Sequence, residues 1–148
     1  MGIRWLPALL AFSLAIAWPL RADLKRAEAE PNLEKRSALA LDNAAAALKD
    51  ARDAYQKGDN DQVARDAAEI QESVDLAYAS LTQTGKNPRK SPRWFKKAEI
   101  ETRDLSRRLE SFQQFMSYTD RPLLDAAKAR VVKVHEDLLL GLMEGRKK

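Results

Sequence analysis

The chain of 148 residues contains no cysteine and one histidine, and glycine and proline together number only 11. Without cysteine there can be no disulfide, no thiolate metal site, no cysteine nucleophile, no thioether-linked haem and no lipid on a processed cysteine. The compartment stays open, since an exported protein need not carry disulfides. A single histidine removes most catalytic and metal chemistry from view. Triads and dyads commonly use histidine as their base, and a di-iron bundle needs two Glu-x-x-His motifs. Val132 stands three residues before His135, so not even one such motif is present. Met116 and Met143 lie at other levels along the expected helices and cannot share a haem with it. His135 is therefore expected on the flank of an apolar stripe, where partial burial would also suit it to sensing pH.

Few turn-forming residues, abundant alanine and sparse β-branched residues favour long helices over a sheet. The chain has no glycine-rich phosphate loop, nucleophile elbow or zinc motif. The expectation is a non-enzyme that needs no cofactor and no metal. The formal charge is +4, and residues 1–22 contribute Arg4 and Arg21 but no acid. The remainder is nearly balanced, so no nucleic acid partner is expected and only a local patch argues for a polyanion.

Residues 1–22 read as an address. Met1 to Arg4 is short and basic, Trp5 to Ala17 is almost wholly apolar, and Trp18 to Ala22 is a polar-leaning end opened by Pro19. That is the layout of a secretory signal peptide. The apolar run falls short of the about 20 residues a membrane span needs. Cleavage is expected after Ala22, with Ala17 as the other site. The alternative is an uncleaved N-terminal anchor. In either case the domain works across the cytoplasmic membrane, periplasmic or secreted.

Residues 23–30 form a charged lead-in, and four helical stripes come after it. Val63, Ala67, Ile70, Val74, Ala77 and Leu81 alternate by four and three, which puts them on one side of a helix with 3.6 residues per turn. Asp66, Glu69, Glu72 and Asp75 are placed opposite. The other stripes run from Leu33 to Tyr55, Phe95 to Met116 and Leu124 to Leu142. Gly58, Gly85 and Gly145 mark helix ends, while Asp59, Ser91 and Asp120 are candidate caps and Pro31, Pro92 and Pro122 fit first turns. Gln62 is placed to reach back in a capping box. Helices are expected at about 31–57, 60–84, 92–118 and 121–144. Together they predict an all-α, antiparallel up-down-up-down four-helix bundle over residues 31–145, preceded by the signal-peptide helix. The heptad-like spacing predicts left-handed crossings of about 20°. A pair of hairpins that closes its core by dimerising is the rival.

The run Ala54-Tyr55-Gln56-Lys57-Gly58-Asp59, continuing to Val63-Ala64, resembles the turn of a tetratricopeptide-repeat hairpin. The flanking helices are about twice that repeat's length and no 34-residue period exists, so the resemblance implies turn chemistry and no function.

Carboxylates are numerous but sit in helical salt-bridge patterns with a cation at i,i+4: Lys49/Asp53, Arg65/Glu69, Lys97/Glu101, Glu99/Arg103 and Asp104/Arg108. Each adds about 0.2–0.5 kcal/mol on a solvated face. Two features stand out from that background. Lys86, Arg89, Lys90, Arg93, Lys96 and Lys97 surround Trp94 and Phe95 with no acid between them. Such a segment suits an anionic envelope surface, either membrane headgroups or a cell-wall polymer. The last helix carries Val132, Leu139, Leu140 and Met143 beyond its stripe, more than one apolar face uses. A surplus of that kind marks a protein partner or self-association, unless the lead-in or a neighbouring helix covers it. The leading expectation is an exported helical interaction or structural module that docks through Val132 to Met143. Binding of anionic surfaces through residues 86–97 is the alternative.

Overall fold

The computed structural model describes residues 23–145; the expected signal peptide lies outside them. Among the described residues the protein is all-helical, with no strand. A single turn, α1 (Lys25–Glu28), precedes four long helices: α2 (Leu33–Gln56), α3 (Asn60–Gln83), α4 (Pro92–Phe115) and α5 (Asp125–Glu144). The 3₁₀ turn Arg121–Leu124 leads into α5.

The stripes close on one another. Leu48, Ile70, Leu109 and Val131, one from each long helix, are all fully shielded within a single chain. Burying side chains of this size is worth about 1.5–3 kcal/mol each, so no second copy is needed to complete the core.

The α2–α3 turn follows from Gly58, whose φ of +76° is open to glycine at no steric cost. Gly58 N–H donates to the Tyr55 carbonyl and Asp59 N–H to that of Ala54, a paired closure of the helix end. Asp59 then caps α3 by accepting from Gln62 N–H at 3.0 Å. The tetratricopeptide-like run is thus a helix stop beside a helix start. Gln62 turns its amide to Asp66 at 2.8 Å and also accepts from Arg65. Asp66, placed on the solvent side from spacing alone, is only 7 % exposed. The first long helix starts at Leu33 because the Asn32 side chain accepts from Lys35 N–H and fixes the cap there, past Pro31.

α2 packs on α3, and α4 on α5; α3 also packs on α5, and α2 on α4. Ala44 and Ala47 are completely buried on α2, where their small side chains let α3 approach. Asn43 locks that pair by donating to Glu69 and Ser73 of α3. Tyr55, at the end of α2, bonds Ser117 and Asp120, just past the end of α4. Lys86, just past α3, pairs with Glu34 at the start of α2. The two hairpins therefore lie side by side with α2 and α4 running the same way. The α3–α4 segment crosses the bundle end diagonally, which short connections alone do not reveal.

The lead-in is anchored. Ala27 is buried, Leu24 packs against the core, and α1 rests on α2. Among the described residues no helix is long and apolar enough to cross a membrane.

Candidate functional site

Apart from Val132, which stands midway along α5, the two surfaces singled out in the sequence lie at one end of the bundle, where α4 begins and α5 finishes. The contact is made by the 84–91 loop. A Cβ built on Gly141 of α5 would stand 3.3 Å from the Pro88 ring, and one on Gly145 the same distance from the Arg89 side chain. A side chain at 141 would press on the Pro88 ring, so glycine there eases the approach of α5 to the loop. Tyr78, Thr82, Lys86, Phe95 and Leu138 line a cavity of about 170 Å³ just beneath.

The six cations of residues 86–97 separate into two groups. Lys86 pairs with Glu34, and Lys97 with Glu101. The Glu101 bond holds the Lys97 ammonium above its ordinary range, so both act within the fold. Arg89, Lys90, Arg93 and Lys96 are exposed and have no acidic partner among the described residues. Arg93 lies over the Trp94 ring at 5.3 Å, while Trp94 itself is half-buried against the core and Phe95 belongs to it. Ser91 stands at the start of α4 but makes no side-chain cap, and the first turn contains no acid. The free backbone N–H groups there add to the positive potential.

Along α4 the spacing continues a stripe that is easily missed in the sequence: Arg93, Lys96, Ile100, Arg103 and Arg107, all exposed. Its alternation of three and four is visible there, but a search for apolar positions hides it. Arg103 reaches Glu99 at 3.6 Å, and Arg107 has no ion pair among the described residues.

On α5, Leu139, Leu140 and Met143 are 40, 48 and 67 % exposed, while Val132 is half-buried. The lead-in does not cover them, because α1 rests on α2 and α5 packs against α3 and α4. His135 is half-buried with Nδ1 3.3 Å from the Glu99 carbonyl oxygen and 3.6 Å from its carboxylate. That is the flank position expected for it.

The opposite end is built differently. Tyr55 donates to Asp120 at 3.0 Å and accepts from Ser117 N–H at 2.9 Å; Asn60 and the Ser117 hydroxyl also donate to Asp120. The Ser117 bond first, then those from Tyr55 and Asn60, hold the Asp120 carboxyl below its ordinary value. Asp120, expected as a helix cap, instead ties three segments together, and α5 starts after a 3₁₀ turn. Phe115 and Tyr118 project from this end, exposed. No periodic signal marks them, since Tyr118 reads only as a helix stop.

Comparison with models of protein families, with curated proteins and with solved structures gave no match for this chain.

Proposed function

We propose that residues 1–22 are a signal peptide cleaved after Ala22. The mature protein is an exported, non-enzymatic interaction module, an up-down-up-down four-helix bundle that docks through the end where α4 begins and α5 finishes. One observation carries this reading. Arg89, Lys90, Arg93 and Lys96, without acidic partners among the described residues, share that end with exposed Leu139, Leu140 and Met143. Apart from the stacking of Arg93 on Trp94, unpaired cations and bare apolar side chains at one end add little to the fold. Like charges at a helix start oppose the macrodipole, on the order of 0.3–1 kcal/mol each at most, and exposed apolar rows favour association. Their use lies outside the chain.

The test is retention on washed cell envelope together with the N-terminal residue of the exported form. The expected result is an N-terminus at Asp23 and retention lost when Arg89, Lys90 and Arg93 become Ser. Retention unchanged by that variant would remove the docking end from consideration. An N-terminus at Met1 would turn the signal peptide into an anchor.

The exposure of Leu139, Leu140 and Met143 favours a second reading, self-association through Val132, Leu139, Leu140 and Met143. It predicts a concentration-dependent dimer abolished by Leu139→Lys. A monomer at every concentration would eliminate it.

A further inference from the structure

The docking end is also where both ends of the described chain lie. α1 sits against α2, and the first turn of α2 carries the Glu34 that pairs with Lys86. Asp23 therefore belongs to the same end as the 84–91 loop, and so does Gly145, whose neighbours are Asn87 and Arg89. In sequence, Asp23 is preceded by the apolar run Trp5 to Ala17, and Gly145 is followed by Arg146, Lys147 and Lys148.

We propose that this end docks on the surface of an anionic lipid bilayer. Arg89, Lys90, Arg93 and Lys96 meet the phosphate headgroups while Leu139, Leu140 and Met143 enter the interfacial layer. The proposal rests on the reading of this end as the docking end and names its partner.

Three features single out the bilayer. A soluble polyanion would account for the cations but would leave the three apolar side chains without a role. A protein groove would take the apolar side chains, yet lysine is depleted at protein interfaces, and Lys90 and Lys96 share this end with the row. An acidic membrane accepts both, since peripheral attachment combines apolar burial in the interface with attraction to anionic lipids. The third feature is attachment. Whether residues 1–22 are removed or kept, the chain enters the fold at this end, so an anchored form and a released form would turn the same surface toward the bilayer. The uncapped start of α4 fits as well, because its free N–H groups suit phosphate oxygens and no acid competes for them.

The experiment uses the chain from Asp23 onward, which keeps every core residue from Ala27 to Leu138. It is sedimented with vesicles of phosphatidylcholine alone and with vesicles that also contain phosphatidylglycerol. Binding is expected only to the acidic vesicles and should weaken steeply with salt. Replacing Arg89, Lys90 and Arg93 by Ser should weaken it on the order of 100-fold, at about fivefold per cation. Replacing Leu139, Leu140 and Met143 by Ser should weaken it about tenfold or more. All six positions are exposed, so helix content and melting temperature should stay the same and confirm that both variants fold. Equal binding to neutral vesicles overturns the proposal, as does indifference to either variant. Full competition by soluble polyphosphate, with the apolar variant binding as well as the parent, also overturns it. If envelope retention needs Arg89, Lys90 and Arg93 but acidic vesicles bind nothing, the docking end stands and the bilayer falls. If neither retention nor vesicle binding responds to the substitutions, both fall.

Discussion

The two ends of this bundle treat their polar groups in opposite ways. At the Tyr55 end, a hydroxyl, a carboxylate and an amide from segments more than fifty residues apart satisfy one another. Phe112 sits beneath them with its ring edge-on to Tyr55 and Arg52 over its face. At the α4-start end, Arg89, Lys90, Arg93 and Lys96 bond to no acid among the described residues, and Leu140 and Met143 lie bare. The core is continuous between the two, so the fold does not require the difference. The contrast lies in the polar groups, since Phe115 and Tyr118 lie bare at the Tyr55 end as well: polar groups satisfied internally add to stability, whereas those left over are available to a partner.

The contrast breaks most sharply under truncation of matched apolar residues. Phe112→Ala, at a site 1 % exposed, should cost about 3–5 kcal/mol, whereas Met143→Ala, at a site 67 % exposed, should stay within about 0.5 kcal/mol of the parent. Denaturant melts of the two variants read the comparison directly. A Met143→Ala variant as destabilised as Phe112→Ala would mean that the α5 row is packed and not presented.

A smaller effect tests the polar part of the closed end. Tyr55→Phe keeps the ring against Phe112 and removes only the hydroxyl, leaving Ser117 N–H without its acceptor and Asp120 with one donor fewer. The expected loss is about 0.5–1.5 kcal/mol. Thermal unfolding checks it, and an unchanged melting temperature would show that water replaces the hydroxyl at no cost.

How much of this is legible in the residues depends on distance along the chain. Apolar stripes and glycine stops are local, so the core positions and helix ends can be read from spacing. Spacing misplaces Asp66 because its position on the helix lies just beside the stripe, and only the Gln62 amide and the neighbouring helix decide that it is buried. The meeting of the basic loop with the end of α5 is out of reach. It depends on the α3–α4 segment crossing the bundle diagonally and on Pro88 settling against Gly141, neither of which leaves a periodic mark. The Tyr55–Asp120 bond spans 65 residues and is equally hidden. Sequence reading thus finds the members of the α4-start end but assigns them to two surfaces.

The finest test of the closed end is its response to acid. Hydrogen bonds from Ser117, Tyr55 and Asn60 lower the Asp120 carboxyl below its ordinary value of 3.8, so folding favours the ionised form. Stability from this source is complete above that ordinary value and drains away as pH falls through the lowered one, where the folded chain at last takes up the proton. Asp120→Asn removes the titrating group. Relative to the variant, the parent should therefore lose stability below about pH 3.8, with the gap between their melting temperatures constant at higher pH and narrowing only in that acid range. The matching change at the other end, Lys96→Gln, involves a cation with no internal partner and should leave the acid limb of the parent as it was. If the Asp120→Asn gap were flat down to the lowest pH measured, the four-group cluster would not favour the ionised carboxylate. The hydrogen bonds from Tyr55, Asn60 and Ser117 would then hold the neutral and the ionised carboxyl alike.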